Sequence, residues 1–312
     1  MLRRAHYMIC LCMMLAWARP GSVYAQAQPV PDSLSVFSQP ISLDPVMIKS
    51  SFDVNAFIRR VKNDTTFYKA FRSMHLVPYT SVNDIAVYDK KGRVTASQHS
   101  KARQDIENNC RTMTFTEQRT TGDYYKKNGE NNYYTTALFD YLFVTKGKVC
   151  NEDDIVAGKM HAYGEGRMEK SKYELKQLIF NPGSKVAGIP FMADRASIFD
   201  EDEARKYDFK ISQVALDGVD CYMFRITPKK GYERKVIYNE LTTWFRRSDH
   251  TILARDHSLS YSTLVYDFDV TMKVRTVQIG EKIYPSYISY NGDWHIFTKK
   301  RERVKFTVGI SY

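Results

Sequence analysis

The sequence predicts an α+β fold in which helices cover a large, curved antiparallel sheet that forms a half-open barrel. The composition is globular, with 43% hydrophobic residues among 312, and the 22 Tyr and 17 Phe favour strands because aromatic rings pack well on a pleated surface. From residue 209 onward the chain consists of strand-like runs joined by short turns. Longer helical patterns occur only before that point, so those helices are the cover available to the buried face of the sheet.

The first 25 residues predict a secretory signal peptide. Arg3 and Arg4 provide a positive start, residues 7–18 are uncharged, and small residues precede Gln26, where we expect cleavage. The apolar run is too short to span a bilayer, and an anchor retained at the N-terminus is the alternative interpretation. We therefore expect an exported protein that resides in the periplasm, with the outer-membrane surface and the extracellular space as alternatives.

Residues 26–50 predict an extended leader, and residues 51–312 predict a single domain. Pro29, Pro31 and Pro40 interrupt the leader, which shows little hydrophobic periodicity. The formal charge of the whole chain is +11, to which the signal peptide contributes three Arg and no acid. A basic exported protein can meet anionic lipid head groups or the cell envelope, and export argues against nucleic acid as a partner.

Apolar residues at helical spacing predict the first helix. Asp53 can cap it, and Val54, Phe57, Ile58 and Val61 lie on one of its faces. The other predicted helical segments are 67–71 (a continuation of the first), 133–145, 170–180 and the short acidic segment 201–207. The longer segments carry their apolar residues on one face, which we expect to pack against the sheet.

Alternation of apolar and polar residues predicts the strands. From Thr80 it predicts a hairpin that turns at 89–92 and returns over 93–100, and a further strand covers 110–120. The seven strands of the C-terminal part are predicted at 210–216, 219–228, 234–246, 251–260, 263–277, 282–290 and 295–310. The short turns between them include Asn291-Gly292, a dipeptide typical of tight hairpins. Strands connected in this way form an antiparallel sheet.

Two stretches of the strand region carry a family resemblance. Residues 216–229 (LDGVDCYMFRITPK) contain a turn, an apolar strand and a Pro, and residues 241–255 (LTTWFRRSDHTILAR) contain an aromatic-rich strand, a turn and a returning strand. Ile283-Tyr284-Pro285 lies in a later strand. These patterns resemble the LolA/LolB outer-membrane lipoprotein-sorting superfamily, with Arg246 at a position where that family usually has an acid.

The resemblance implies a protein that binds the acyl chain of a lipid or lipoprotein in an apolar cavity between sheet and helices, without catalysis and without a cofactor. The implied cavity cover comprises Phe57, Ile58, Leu138, Phe139, Leu142, Leu178 and Ile179. An apolar irregular stretch that includes Ile189, Phe191 and Met192 is expected either to act as a lid or to plug the barrel end. The alternative is that these residues form an ordinary filled core, which would make the protein a structural module that binds an envelope protein partner.

No catalytic motif supports an enzyme. The Gly-x-Ser-x-Gly, His-Glu-x-x-His and P-loop patterns do not occur in the sequence. The dipeptides Asp249-His250 and Asp256-His257 flank one predicted strand, and we interpret both as turn residues rather than as catalytic pairs. A weaker alternative is an outer-membrane β-barrel, because residues 304–312 alternate strictly and end on an aromatic. The predicted helices and the charges at 299–305 oppose it.

Three cysteines follow the signal peptide, Cys110, Cys150 and Cys221, and none has the spacing of a metal site. An oxidising compartment allows one disulfide and one free thiol. Cys221 shares a strand face with Val219 and Met223, so we interpret it as a buried thiol and favour Cys110–Cys150 as the pair. Three free thiols are the alternative, and no metal site is predicted.

Overall fold

The computed structural model describes residues 41–43, 52–151, 182–183, 195–263, 266–296 and 300–312, all within one compact unit, Val36–Tyr312. The predicted signal peptide, the predicted helix at 170–180 and the apolar stretch around Ile189 lie outside the described residues. The strands and helices below are therefore those of the described part of the chain.

The described strands form one mixed, unclosed sheet of twelve strands. They are β1 (Ile41–Leu43), β2 (Tyr79–Tyr88), β3 (Val94–Glu107), β4 (Cys110–Gly122), β5 (Val149–Cys150), β6 (Tyr207–Leu216), β7 (Val219–Pro228), β8 (Tyr238–Arg246), β9 (Ile252–Ser262), β10 (Tyr266–Ile279), β11 (Lys282–Ile296) and β12 (Glu302–Ser311). Their order across the sheet is β1-β6-β7-β8-β9-β10-β11-β12-β2-β3-β4-β5. All neighbours are antiparallel except β1, a piece of the predicted leader, which pairs in parallel with β6.

The alternation of side chains along each strand builds one buried face. On β12, Val304 and Phe306 are buried and lie opposite Val87 and Ile85 of β2, which are also buried. Residues of β12 between them, such as Lys305, are exposed. The period of two therefore gives this part of the sheet one apolar face, and a single continuous hydrophobic cluster lies on it.

The helices before the C-terminal strands contribute to that cluster. Helix α1 (Val54–Asn63) begins as predicted at Asp53, whose side chain accepts the N–H of Ala56 at 2.9 Å. The predicted continuation is a separate helix, α2 (Thr66–Ser73), because Asp64 ends α1 in an extended conformation and accepts the N–H of Thr66. A 3₁₀ helix, Met74–Leu76, follows α2, and the remaining α-helices of the described residues are α3 (Tyr134–Phe143) and the four-residue α4 (Glu201–Ala204).

Aromatic rings join these helices to the sheet. The ring of Phe57 in α1 contacts those of Phe224 and Phe245, with centroids 5.9 and 5.2 Å apart. In α3, the ring of Phe139 contacts that of Phe306 at 5.3 Å. No helix in the described part of the chain is long and apolar enough to cross a membrane.

The predicted turn at Asn291-Gly292 is wrong, because β11 continues through both residues to Ile296. The Gly is used for close packing rather than for a turn. A Cβ at position 292 would lie 2.2 Å from Oη of Tyr290, whose ring stacks on Phe306 with centroids 4.6 Å apart. Tyr290 and Trp294 are held together by a hydrogen bond from the indole N–H to the phenol oxygen. Side-chain packing therefore overrides the local turn preference of the dipeptide.

A disulfide joins Cys110 at the start of β4 to Cys150 in β5. Cys221 is a buried free thiol on β7, and its S–H donates to the carbonyl of Val219. The disulfide connects β5, the strand at one edge of the sheet, to its neighbour β4, with which β5 shares only two paired positions.

Candidate ligand cavity

A cavity of about 300 Å³ lies between the C-terminal end of α1 and strands β7, β8 and β9. The apolar residues that line it are Val61, Phe199, Phe224, Ile226 and Leu241. The polar and charged residues that line it are Lys62, Asp64, Ser197, Asp200, Thr243 and Arg255, and Pro182 and Gly183 complete the described lining. The cavity is thus apolar on one part of its wall and charged on another.

The register of three antiparallel strands places these groups. One row across the sheet contains Phe224 of β7, Thr243 of β8 and Arg255 of β9, each opposite the next. The neighbouring row contains Ile226, Leu241 and His257 in the same order. Because residues two apart along a strand share a face, both rows belong to the buried face. The row that contains the charged Arg255 therefore adjoins the row that contains the apolar Ile226 and Leu241.

Arg255 is a buried charged residue, with only 8% of its surface exposed. Its Nε donates a hydrogen bond to Oγ1 of Thr243 at 3.0 Å, and its guanidinium lies 4.3 Å from the centroid of the Phe67 ring. Burial lowers the pKa of Arg255 to about 10, an effect that the negative charge of Asp64 opposes. The side chain therefore remains a cation at neutral pH.

Arg255 retains unused hydrogen-bonding capacity. Within the described residues, neither of its Nη groups has a hydrogen-bond acceptor or a carboxylate at ion-pair distance. Asp64 faces the same cavity, and its Oδ1 accepts from the N–H and the hydroxyl of Thr66 at 3.1 and 2.7 Å. Its Oδ2 is buried without a partner in the described part of the chain. A guanidinium and a carboxylate thus line one cavity, and each has groups free for a ligand.

His257 lies on β9 two residues after Arg255 and is only 2% exposed. Neither ring nitrogen has a hydrogen-bond partner among the described residues. Burial, together with the smaller effect of the positive charge of Arg255, lowers the pKa of His257 to about 3. The imidazole is therefore neutral at physiological pH.

The residues that the sequence suggested as cavity cover have other surroundings. Phe57, Ile58, Phe139 and Leu142 are buried in the hydrophobic cluster, and Leu138 is half-buried against it. None of the five is among the residues that line the cavity described above. Leu178, Ile179, Ile189, Phe191 and Met192 lie outside the described residues.

Sequence reasoning did not single out Arg255, Thr243 or Asp64. A signal was present in β9, where Arg255 and His257 occupy the same alternating positions as Leu259 and Tyr261. A charged residue at an inward position of a half-buried strand is the kind of exception that marks a site. Its significance depends on the partners across the sheet, which the sequence of β9 alone does not reveal.

The two Asp-His dipeptides lie in different surroundings. Asp249 accepts a hydrogen bond from Arg246 in the turn after β8, while the ring of His250 stacks on that of Tyr222 at 5.8 Å. The expectation of a second turn pair is wrong, because Asp256 and His257 lie within β9. Consecutive strand residues point to opposite faces, so Asp256 pairs with Arg275 on one face and His257 is buried on the other.

A larger and more polar groove, of about 680 Å³, adjoins β10, β11 and β12. Its charges satisfy one another to a large extent. Arg301 pairs with both Asp267 and Asp293, and Arg303 pairs with Asp293 at 2.9 Å. The two Arg residues of this groove thus have carboxylate partners, whereas Arg255 has none at ion-pair distance among the described residues.

No protein-family model matches the sequence, and no curated protein matches it. Two solved structures are similar to the chain. One is an outer-membrane lipoprotein-sorting protein domain from Vibrio parahaemolyticus, at 10% identity and a TM-score of 0.26, with 78% of this chain and 87% of that chain covered. The other is a member of the DUF1329 family from Desulfovibrio piger, at 14% identity and a TM-score of 0.22, with 79% and 90% covered. The first of these is of the class that the sequence resembles.

Proposed function

We propose that this protein is an exported envelope protein that binds a lipid or an acyl chain, as a carrier or sensor, without a catalytic step. In this proposal the sheet is curved, helices α1 and α2 cover part of its buried face, and the ligand occupies the cavity at the end of α1. The periplasm is the expected location. The observation that carries the proposal is that three buried apolar residues of the sheet, Phe224, Ile226 and Leu241, line the cavity.

The size of the cavity limits what it can hold. Its volume of about 300 Å³ is at the lower end of the range of about 300–1,000 Å³ that is usual for small-molecule sites. A segment of an acyl chain fits such a space better than a whole lipid does. Each methylene that leaves water contributes about 0.8 kcal/mol, so a few methylenes suffice for weak, reversible retention.

A second candidate function is supported by a different observation. Phe57, Ile58, Phe139 and Leu142 are packed in a continuous core, as expected for a structural module that binds an envelope protein through its surface. The two candidates differ in whether the cavity beside α1 takes up a ligand. That difference can be measured directly.

The test is native mass spectrometry of residues 26–312 purified from a bacterial periplasm, followed by extraction with organic solvent. The carrier proposal expects a mass increment that extracts as lipid. A bare polypeptide mass that persists after incubation with envelope lipids contradicts it and supports the interaction module.

A pair of Trp substitutions gives the control. Leu241→Trp places an indole at the cavity wall and is expected to reduce the lipid-bound fraction with a small change in the urea midpoint. Leu142→Trp, on the face of α3 that is buried in the core, is expected to lower the urea midpoint because the larger ring overpacks its surroundings. Equal destabilisation by the two substitutions, with no change in lipid content, contradicts an open cavity.

A further inference from the structure

The cavity contains a built site for a negative charge. The guanidinium of Arg255 is held in place by two contacts, the hydrogen bond from Nε to Thr243 and the face-on contact with Phe67. Its Nη groups are left free within the described residues. A planar guanidinium fixed in this way presents parallel N–H donors, the arrangement that binds a carboxylate or a phosphate with two hydrogen bonds.

A purely structural role for Arg255 does not account for this arrangement. Burial of an unpaired cation is costly, and the usual solution is a carboxylate in direct contact. Asp64 is the acid on the cavity wall whose negative charge favours the protonated form of Arg255, yet the two side chains form no ion pair within 4.0 Å. The compensation that a buried Arg needs is therefore incomplete, and the cavity supplies the space for an additional anion.

We propose that Arg255 binds the anionic group, a carboxylate or a phosphate, of an amphipathic ligand whose acyl chain lies along Ile226 and Leu241. This inference rests on the proposed function and specifies the chemistry of its ligand. The row with Arg255 and the row with Ile226 and Leu241 are two residues apart along each strand, a distance of about 7 Å. The head group and the first methylenes of the ligand therefore bind on adjacent rows.

The other charges on the cavity wall define the ligand further. Lys62 adds a second cation, at an exposed position, while Asp64 and Asp200 add two carboxylates. The acids oppose the accumulation of negative charge, so we expect a monoanion to bind better than a dianion. The buried Oδ2 of Asp64 accepts a hydrogen bond from a hydroxyl or ammonium group of the ligand, where one is present.

The experiment uses lipid-free protein, residues 26–312, and calorimetric titration with four ligands that share a twelve-carbon chain: dodecanoate, dodecyl phosphate, dodecanol and dodecyltrimethylammonium. We expect at least one anion to bind about tenfold or more tightly than dodecanol, since a hydrogen-bonded charge contributes about 1.5–3 kcal/mol. The tighter of the two anions identifies the head group as carboxylate or phosphate.

Substitutions then assign the preference to one side chain. Arg255→Gln is expected to reduce the affinity for the anions to that for dodecanol, while the affinity for dodecanol is unchanged. Lys62→Gln removes an equal charge from an exposed part of the same wall and is expected to keep most of the preference. Arg255→Lys keeps the charge, loses the paired donors, and is expected to give an intermediate preference.

The outcomes separate this inference from the function on which it rests. If the wild-type protein binds dodecanol as tightly as the anions, or binds the cationic ligand best, the role of Arg255 is wrong and the lipid-binding function stands. If no twelve-carbon ligand binds, the function itself is wrong. The ligand series on the wild-type protein decides between these outcomes even if the Arg255 variants do not fold.

Discussion

Glu302, at the start of the last strand, caps the helix that begins at Tyr134. One carboxylate oxygen of Glu302 accepts the backbone N–H of Tyr134 at 2.7 Å, and the other accepts the N–H of Thr135 at 3.0 Å and its hydroxyl at 3.1 Å. Tyr133, at the N-cap position, makes no capping hydrogen bond with its own side chain. The sheet therefore supplies the cap of α3, and a negative charge at a helix N-terminus also interacts favourably with the helix dipole.

We expect Glu302→Ala to lower the free energy of unfolding by about 1–2 kcal/mol, because it removes the cap and its charge together. Urea denaturation followed by circular dichroism measures this. The control is Glu281→Ala, which removes an exposed acid from the turn between β10 and β11 and is expected to have little effect. Similar losses in the two variants contradict a capping role for Glu302.

Gly292 provides a second prediction, since its lack of a side chain is required by packing. Gly292→Ala brings a Cβ to 2.2 Å from Oη and 2.5 Å from Cζ of Tyr290, a buried ring that cannot swing away freely. We expect a loss of about 1–3 kcal/mol in the free energy of unfolding, the usual cost of overpacking.

Gly309 on β12 is a matched control. A Cβ added there meets no atom within 4 Å, so Gly309→Ala is expected to be neutral or slightly stabilising in the same denaturation experiment. Equal effects at the two positions contradict the packing explanation and indicate a general cost of Ala in these strands.

Most of the sheet could be predicted because its strands carry a clear local pattern. The predicted 219–228 strand and β7 have the same bounds, and the other C-terminal strands were located to within a few residues, except at Asn291-Gly292. The error there has a tertiary cause, since the ring of Tyr290 occupies the space that a side chain at 292 would need. The division between α1 and α2 at Asp64 was missed because the apolar pattern continues across it.

The residues of the candidate site could not be predicted from the sequence. The family resemblance implied an apolar cavity between the sheet and the helices. The wall of the cavity beside Arg255 depends instead on which residues of β7, β8 and β9 lie opposite each other. Arg255 lies opposite Thr243 because the bulge between Trp244 and Phe245 shifts the register of β8 against β9. A register shift of this kind arises from pairing between strands, and neither strand carries it in its own pattern.

The disulfide gives a third prediction. Cys110 and Cys150 are 40 residues apart in the sequence, and a cross-link over a loop of that length stabilises a protein by about 4 kcal/mol in the chain-entropy model. We expect a reducing agent to lower the urea midpoint of the wild-type protein. It should leave the midpoint of the Cys110→Ala/Cys150→Ala variant unchanged, because Cys221 has no disulfide partner. A reductant-sensitive midpoint in that variant contradicts the assignment of the bond.

His257 gives a prediction about pH. Burial and then the charge of Arg255 lower the pKa of His257 to about 3 in the folded protein, whereas an unfolded His has a pKa of about 6.5. Between these two values the unfolded chain takes up a proton that the folded protein does not bind. The contribution of His257 therefore disfavours folding increasingly as the pH falls from about 6.5 to about 3, by roughly 4 kcal/mol in total.

Replacement of this side chain should remove that dependence. Leu241 and Met272 flank His257 on the neighbouring strands, so His257→Leu places an apolar residue among apolar residues. It also removes two buried nitrogens that have no hydrogen-bond partner among the described residues. We expect the variant to be at least as stable as the wild type at pH 7 and to lose less stability by pH 4.5, as measured by urea denaturation across that range. His295→Gln, at a half-buried position of β11, serves as the control and should keep the wild-type profile. Parallel pH profiles for His257→Leu and the wild type would show that the buried imidazole gains its proton with little cost, which would require water or a ligand group within reach of its ring.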